Sequence, residues 1–303
     1  MASRRFVAGV ASVAILSGAY AFRVHVHAQS QSQIPPGLPT EITQNRFNAG
    51  QSVIPYYEGW VRNADGTFDL VFGYFNRNFQ EEFSIPAGAN NKVEPGAADQ
   101  GQPTYFLARR QRFIYRVRVP ANFGKGIVTW SITTHGRTEK AFGDLIAPEE
   151  ITERVLATNG NFDPGLDDPN KPPTLTLAPI QNVTANAPVT LTATVSDDGL
   201  PKPRVVAPRP AQPNTTQTNA FGAQVNSSGG GRPRGLTVNW LEYSGPAKVT
   251  FSGGPVPVTN GEAKVTATFT APGTYKLIAN ANDGQLSTKI PVTVTVAGKP
   301  STP

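Results

Sequence analysis

Five arginines between positions 109 and 118 are the residues of this sequence best suited to holding a ligand. Strand alternation places Arg110, Arg112, Arg116 and Arg118 on one face with Ile114, and Phe113, Tyr115, Val117 and Val119 on the core face. A row of planar guanidinium groups can hold carboxylate or phosphate groups through paired hydrogen bonds, for example on an anionic polysaccharide. The alternative is a solvated strand whose arginines pair across the sheet with residues such as Glu81 and Glu82.

Aromatic residues are the second feature suited to binding, because exposed rings can stack on sugars. Nine of them lie between positions 56 and 83. Phe68, Leu70, Phe72 and Tyr74 alternate along one predicted strand, which favours a core role for that set. Tyr56, Tyr57 and Phe79 lie near strand ends or turns and are the rings expected at the surface. The ligand-binding residues proposed from sequence are Arg110, Arg112, Arg116, Arg118, Tyr56 and Tyr57.

The inventory of nucleophiles and metal ligands argues against catalysis. The chain has no cysteine, which excludes thiolate nucleophiles, thiolate metal sites and disulfides. His135 is the single histidine beyond position 28, too few for a multi-histidine metal site. Glu81 and Glu82 are strand neighbours that point to opposite faces, so they form a poor acid–base pair. We therefore predict that the protein is not an enzyme and has no cofactor or resident metal.

Calcium at the joint between domains is the alternative that the sequence leaves open. Calcium takes six to eight oxygen ligands. The acidic residues available for it are Asp163, Asp167, Asp168, Asp197, Asp198 and Asp283. No alternating Asp-x-Asp loop is present, and Asp-Gly and Asp-Pro pairs are ordinary in turns.

The N-terminal residues have the pattern of an export signal. Arg4 and Arg5 precede an apolar stretch that is short for a membrane span, and Val26-His27-Ala28 fits a small-x-small cleavage site. We predict a cleaved signal peptide at 1–28 and a periplasmic or extracellular location, with no membrane span in the mature chain. Removing residues 1–28 lowers the formal net charge from +6 to +3, which weakens any case for nucleic acid as a partner.

Period-two alternation and turn signals predict an all-β fold. Runs such as Leu236–Trp240 and Ala263–Phe269 alternate apolar and polar residues, with Asn260-Gly261 as a turn between strands. We predict a flexible leader at 29–45, a first β-sandwich at 46–157, a linker at 158–173, a second β-sandwich at 174–297 and a tail at 298–303. A basic, Pro/Gly-rich segment at 200–235 is expected to be a disordered insert in the second sandwich.

The second sandwich resembles the PKD-like and immunoglobulin-like repeats of bacterial surface proteins. The matching residues are Pro172–Leu177, Val189–Gly199, Leu236–Trp240, Ser244–Pro246, Ala267–Leu277, Asn282–Gly284, Leu286–Ser287 and Val292–Val296. The first domain resembles uncharacterised bacterial secreted proteins through Gly73–Arg77, Gly101–Thr104 and Val128–Trp130. The resemblance implies two tandem immunoglobulin-like β-sandwich domains with a role in spacing, adhesion or glycan contact.

These observations favour an exported, non-catalytic binding or adhesion protein of the bacterial envelope. Its expected partner is a glycan, another anionic surface polymer or another envelope protein. The alternative is a structural subunit of a surface layer or secreted complex, in which exposed strand edges pair between chains.

Overall fold

A computed structural model describes residues 46–202 except 162, 164 and 166, the pairs 217–218 and 224–225, and residues 235–298. The predicted signal peptide and leader, most of the insert at 200–235 and the tail beyond residue 298 lie outside the described residues. In the described ranges, neither helix has the length and apolar character that crossing a bilayer requires.

The first domain is a sandwich of two three-stranded antiparallel sheets. Its strands are β1 Val53–Arg62, β2 Phe68–Asn76, β3 Phe83–Ser84, β4 Asn91–Glu94, β5 Tyr105–Phe106, β6 Arg109–Val119, β7 Val128–Thr134 and β8 Arg137–Gly143. One sheet has the order β1–β2–β6 and the other β4–β7–β8, while β3 and β5 pair as a short ladder. The core contains Phe72, Tyr74, Phe106 and Trp130, all essentially buried. The predicted core position of Phe68, Leu70, Phe72 and Tyr74 is confirmed, but the other face of β2 is buried as well.

A short helical segment follows the first sandwich. The sequence predicts one helix from Pro148 to Leu156, but the chain forms a 3₁₀ turn at Ala147–Glu149 and a separate helix, α1, at Glu153–Ala157. The break arises because the Ile151 amide donates to the Trp60 carbonyl at 2.8 Å, which holds this segment extended beside β1. The helix restarts at Thr152, whose hydroxyl accepts from the Val155 amide.

A bulge in β6 changes which side chains face the core. Phe72 pairs with Tyr115 and Tyr74 with Gln111, so residues 112–114 lie opposite Gly73 alone. Phe113, with φ 51°, turns to the outer face and packs with Val61, Val71 and Leu156. Ile114 packs against the main core instead. The prediction that Phe113 faces the core and Ile114 lies among the arginines is therefore wrong.

The second domain is an immunoglobulin-like sandwich. Its strands are β9 Thr174–Leu177, β10 Val183–Thr184, β11 Pro188–Ser196, β12 Gln217–Thr218, β13 Gln224–Val225, β14 Thr237–Ser244, β15 Val249–Phe251, β16 Val256–Pro257, β17 Glu262–Phe269, β18 Gly273–Asn282 and β19 Ser287–Ala297. The facing sheets are β15–β17–β11–β9 and β10–β19–β18–β14–β16. Trp240 is buried on β14, and the Tyr275 hydroxyl donates to the Ala271 carbonyl at 2.8 Å. Both features are typical of immunoglobulin-like domains. The predicted all-β sandwich fold is confirmed.

The two sandwiches belong to one compact unit and share several hydrogen bonds. The Ser287 hydroxyl donates to the Ala157 carbonyl at 2.9 Å, and the Lys289 ammonium donates to the Arg112 carbonyl at 2.9 Å. The Thr104 amide donates to the Tyr243 carbonyl at 3.1 Å. The β6 bulge and the end of α1 thus meet β19 of the second domain, and the residue before β5 meets β14.

Replacing Gly73 with alanine is expected to destabilise the first domain by about 2–3 kcal/mol, as overpacking does. A Cβ atom there would lie 2.6 Å from the Gln111 carbonyl oxygen and collide with the Glu58 carboxylate. Urea unfolding measures the change. Gly253→Ala is the matched control, because its Cβ would meet no atom within 4 Å. Equal stability of the two variants would contradict the role assigned to Gly73.

Candidate functional site

The arginines proposed from sequence lie on the outer face of the β1–β2–β6 sheet, and two of them, Arg116 and Arg118, pair with acids other than Glu58. Arg116 binds both carboxylate oxygens of Glu153, at 2.7 and 2.9 Å, and lies 3.6 Å from Asp69. Arg118 donates to Asp69 at 3.0 Å and lies near Asp65. The two guanidinium groups hold the pKa of Asp69 below its usual range, against the opposing effect of its burial.

The carboxylates that pair with these arginines are not the ones expected. Glu82 accepts from Tyr105 and Lys248, each at 2.7 Å, and Glu81 accepts from the Gly50 amide and lies 3.3 Å from His135. The expected pairing of the arginines with Glu81 and Glu82 is therefore wrong.

Arg110 and Arg112 surround a buried carboxylate. The Glu58 side chain is only 6% exposed, and Arg110 binds it at 2.7 Å while Arg112 lies 3.8 Å away. Burial raises the pKa of Glu58, and the nearby cations Arg110, Arg112 and Lys289 partly offset that rise. Arg112 also donates to the carbonyls of Asn159 and Gly160, both at 3.0 Å. This pair of arginines therefore neutralises an internal charge, and Arg112 in addition holds the chain that follows α1.

The two tyrosines of the proposed set differ in accessibility. Tyr56 is 38% exposed, and the Arg110 guanidinium lies over its ring at 3.9 Å. Tyr57 is half-buried, packs on Phe72 and donates its hydroxyl to the Asp144 carbonyl. Burial raises the pKa of Tyr57. Of the two, Tyr56 is the ring that a ligand can reach.

Beyond Tyr56, arginine and aromatic side chains alternate at one end of the same face. We call this surface the Arg–aromatic platform; it consists of Arg46, Phe47, Tyr56, Phe75, Arg77, Phe79, Arg109 and Arg110. Arg109 lies 4.0 Å over the Phe79 ring and 4.8 Å over Phe75, and Arg46 lies 5.4 Å over Phe79. An open hollow of about 410 Å³ is lined by Gln51 and by all the platform residues except Tyr56 and Arg110. Phe47 and Phe79 are 47% and 38% exposed.

Three arginines of the platform differ from Arg110 and from the rest of the arginine face, because they have no acid partner among the described residues. In the part of the chain that the structure describes, no carboxylate lies within 4.0 Å of the guanidinium groups of Arg46, Arg77 or Arg109. Arg109 donates to the Arg77 carbonyl and has φ 69°, a left-handed conformation that is uncommon for a residue other than glycine. The sequence analysis selected Arg110 and Tyr56, counted Arg109 in the arginine cluster but not in the binding set, and missed Arg46 and Arg77. The available signal was the Arg109–Arg110 pair at the start of a strand.

The acidic residues considered for calcium have mostly local roles. Asp163 and Asp168 bind Arg154 at 2.8 and 3.0 Å. Asp198 accepts from the Lys171 amide at 3.0 Å. Among the described residues, no group of three or more Asp, Glu, His or Cys side chains is arranged to hold a metal ion.

No family model and no curated protein matches this sequence. Among solved structures, the D00–D0 domain of intimin aligns at 12% identity with a TM-score of 0.24, covering 81% of this chain and 100% of that one. Domains 1–6 of the surface layer protein SbsC align at 12% identity with a TM-score of 0.25, covering 83% of this chain and 28% of that one. A conjugative transposon lipoprotein from Bacteroides eggerthii aligns at 13% identity with a TM-score of 0.24, covering 40% of this chain and 95% of that one. These likenesses are too distant to support an argument about function.

A buried glutamate at the domain joint is the most perturbed carboxylate of the described chain. Glu242 is 4% exposed; one oxygen accepts from the Val249 amide at 2.7 Å, and the other has no described partner. Burial and nearby Glu82 raise the pKa of Glu242 to about 7, against the hydrogen bond from the Val249 amide and the charge of Lys248, which lower it. The ionised form is therefore disfavoured in the folded protein.

Stability should fall as pH rises from about 4.5 to about 7, because the unfolded chain releases the Glu242 proton in this range while the folded protein retains it. Glu242→Gln removes this loss, so the variant should be more stable than the wild type at pH 8 by roughly 2–3 kcal/mol. Urea unfolding at pH 5 and pH 8 measures the effect. Glu262→Gln, an exposed glutamate of the same domain, is the control. Parallel pH profiles for wild type and Glu242→Gln would contradict the prediction.

Proposed function

We propose that this protein binds an acidic glycan and that the Arg–aromatic platform is its recognition site. The observation that carries the proposal is the stack in which Arg46 and Arg109 lie over Phe79 with no described carboxylate nearby. Ring faces accept the apolar faces of sugars, and guanidinium groups bind carboxylates through paired hydrogen bonds. A chain of sugar acids offers both partners at once.

The predicted export signal supports a role in adhesion or binding at the bacterial envelope, where acidic polysaccharides are accessible. On this proposal, the platform replaces the wider arginine row as the contact surface. Arg116 and Arg118 are left out of the platform because each already pairs with a carboxylate, that of Glu153 and that of Asp69. Arg110 takes part through its stack on Tyr56.

The test compares binding of tetragalacturonate and of neutral maltotetraose by calorimetry. We expect the wild type to bind tetragalacturonate and not maltotetraose, with affinity that falls as salt rises. Arg46→Gln combined with Arg77→Gln should weaken binding about tenfold, since each removes an exposed charge contact. Both side chains are exposed, so the fold should tolerate the changes.

Two control variants separate a specific platform from general basicity. Arg137→Gln removes an exposed arginine on β8 that pairs with Glu139, and it should leave binding unchanged. Arg112→Ser with Arg116→Ser tests the arginine row outside the platform and should also leave the affinity unchanged once folding is verified. The platform would be overturned as the site if the platform variant and the two control variants lost affinity equally. Equal affinity for the acidic and the neutral tetrasaccharide would also overturn it.

Assembly between copies is the second candidate function, favoured by one surface observation. Phe142 is 60% exposed on β8, the outer strand of its sheet, and Ile127 beside β7 is 52% exposed. Exposed apolar side chains on an edge strand favour pairing with another chain.

If assembly uses this edge, the wild type should self-associate with rising concentration in sedimentation velocity, and Phe142→Ser should shift the distribution to monomer. Thr129→Ser, a change at the position that pairs with Phe142, is the control. A wild type that stays monomeric at every concentration would exclude this function and leave the binding proposal unaffected.

A further inference from the structure

A cleft of about 660 Å³ lies between the two sandwiches, separate from the platform. One wall comes from β6 and α1 of the first domain, and the other from β18 and β19 of the second. This volume is within the range of about 300–1,000 Å³ that is typical of small-molecule sites.

The second-domain wall has an apolar centre between two lysines. Ile278 pairs with Pro291 across β18 and β19, while Lys276 pairs with Thr293 and Lys289 with Asn280. Alternation along each strand puts the side chains of Lys276, Ile278, Lys289 and Pro291 on the same face of the sheet. From the opposite wall, Phe113 and Leu156 add apolar surface.

The half-buried Lys289 is a cation that has no carboxylate within 4.0 Å among the described residues. Its ammonium group donates to two neutral acceptors, the Arg112 carbonyl at 2.9 Å and the Asn159 side-chain oxygen at 3.2 Å. An ammonium group carries three donors, so one is left for a ligand. Burial, together with the nearby guanidinium groups of Arg112 and Arg116, lowers the pKa of Lys289 to about 8, although Glu58 opposes the shift.

The cleft as a whole carries more positive than negative charge. Arg116, Lys276 and Lys289 line it, against the single carboxylate of Glu153, which is already bound to Arg116. No described carboxylate lies within 4.0 Å of the Lys276 ammonium. A bound anion would supply the charge that the wall lacks, and its apolar part would cover Ile278 and Phe113.

We infer that the cleft binds a small amphipathic organic acid, with its carboxylate on Lys289 and its apolar body between the two sandwiches. The ligand contacts both domains, so binding also stabilises the joint. This site is independent of the proposed glycan platform.

The test uses a matched pair of probes, 2-naphthylacetate and its neutral amide, titrated calorimetrically into the full chain at pH 7. The acid should bind at least tenfold more tightly than the amide, as a charge-assisted hydrogen bond predicts. The acid should also raise the melting temperature, because it binds only the folded state. At pH 9.5 the advantage of the acid should shrink, because Lys289 loses its charge above a pKa of about 8.

Three variants locate the effect. Lys289→Met keeps an apolar stem without the charge and should bring the two affinities within about twofold of each other. Lys276→Gln, at an exposed position, should weaken the acid by roughly two- to threefold and leave the amide unchanged. Lys264→Gln on β17, in the facing sheet, is the control and should change neither affinity.

Equal affinity of acid and amide in the wild type would overturn the inference, and so would an absence of binding by both. A preference for the acid that survives in folded Lys289→Met would also overturn it. If Lys289→Met does not fold, the test rests on Lys276→Gln and on the pH series. The assignment would be overturned if the affinity for the acid changed neither in Lys276→Gln nor between pH 7 and pH 9.5.

Discussion

The pairing of β2 with β6, and the bulge it contains opposite Gly73, is the constraint on which the other features of the first domain depend. Because three residues of β6 lie opposite one residue of β2, Phe113 leaves the core and joins the cluster beneath α1. The same displacement turns the Arg112 carbonyl outward, where Lys289 of the second domain reaches it. A regular ladder would have continued the core alternation and removed both contacts.

The charge on this face follows from the same geometry. Glu58 lies beside Gly73 under Arg110 and Arg112, in a position where a side chain at residue 73 would displace it. Leaving such a carboxylate buried without a cation would cost several kcal/mol, so Arg110 and Arg112 stabilise the fold by neutralising it, and Arg110 in addition stacks on Tyr56 at the edge of the platform. Arg46, Arg77 and Arg109 have no carboxylate partner among the described residues. The face therefore has a structural part, where arginines pair with acids, and an accessible part, where these three guanidinium groups can bind a ligand.

Local patterns in the sequence predict the parts of this architecture that depend on neighbours along the chain. The alternation from Phe68 to Tyr74 and the turn residues of the second domain are of this kind, and both correctly predict strands and the buried face. The sequence analysis did not predict the bulge. Its only signal in the sequence is Gly73, and the apolar–polar alternation continues on either side of that glycine. The ion pairs escaped for a different reason: Arg116 meets Glu153 across 37 positions, and a single sequence does not indicate contacts at that separation.

The Arg–aromatic platform also depends on contacts between residues that are far apart in the sequence. Arg46 reaches Phe79 only because the Phe79 amide donates to the Phe47 carbonyl, which brings two distant segments together at the surface. Composition indicates that arginine and aromatic residues are plentiful in this domain. An arginine can bind a ligand through its charge only if no carboxylate of the protein pairs with it, and the positions of the carboxylates in space are not indicated by composition.

The hydrogen bonds of the joint bear on how this protein can diverge over evolution. Lys289, Ser287 and Tyr243 donate to main-chain carbonyls of Arg112, Ala157 and Gly101. Every residue type supplies a carbonyl, so substitutions at those three first-domain positions retain the acceptors as long as the backbone keeps its path. In these three bonds the second domain contributes the side chains and is the partner under constraint, whereas the Glu82–Lys248 pair constrains a side chain on each domain. In a set of relatives, the second-domain donors would therefore be conserved at these bonds, while positions 112 and 157 of the first domain would vary and position 101, which has φ +84°, would remain glycine.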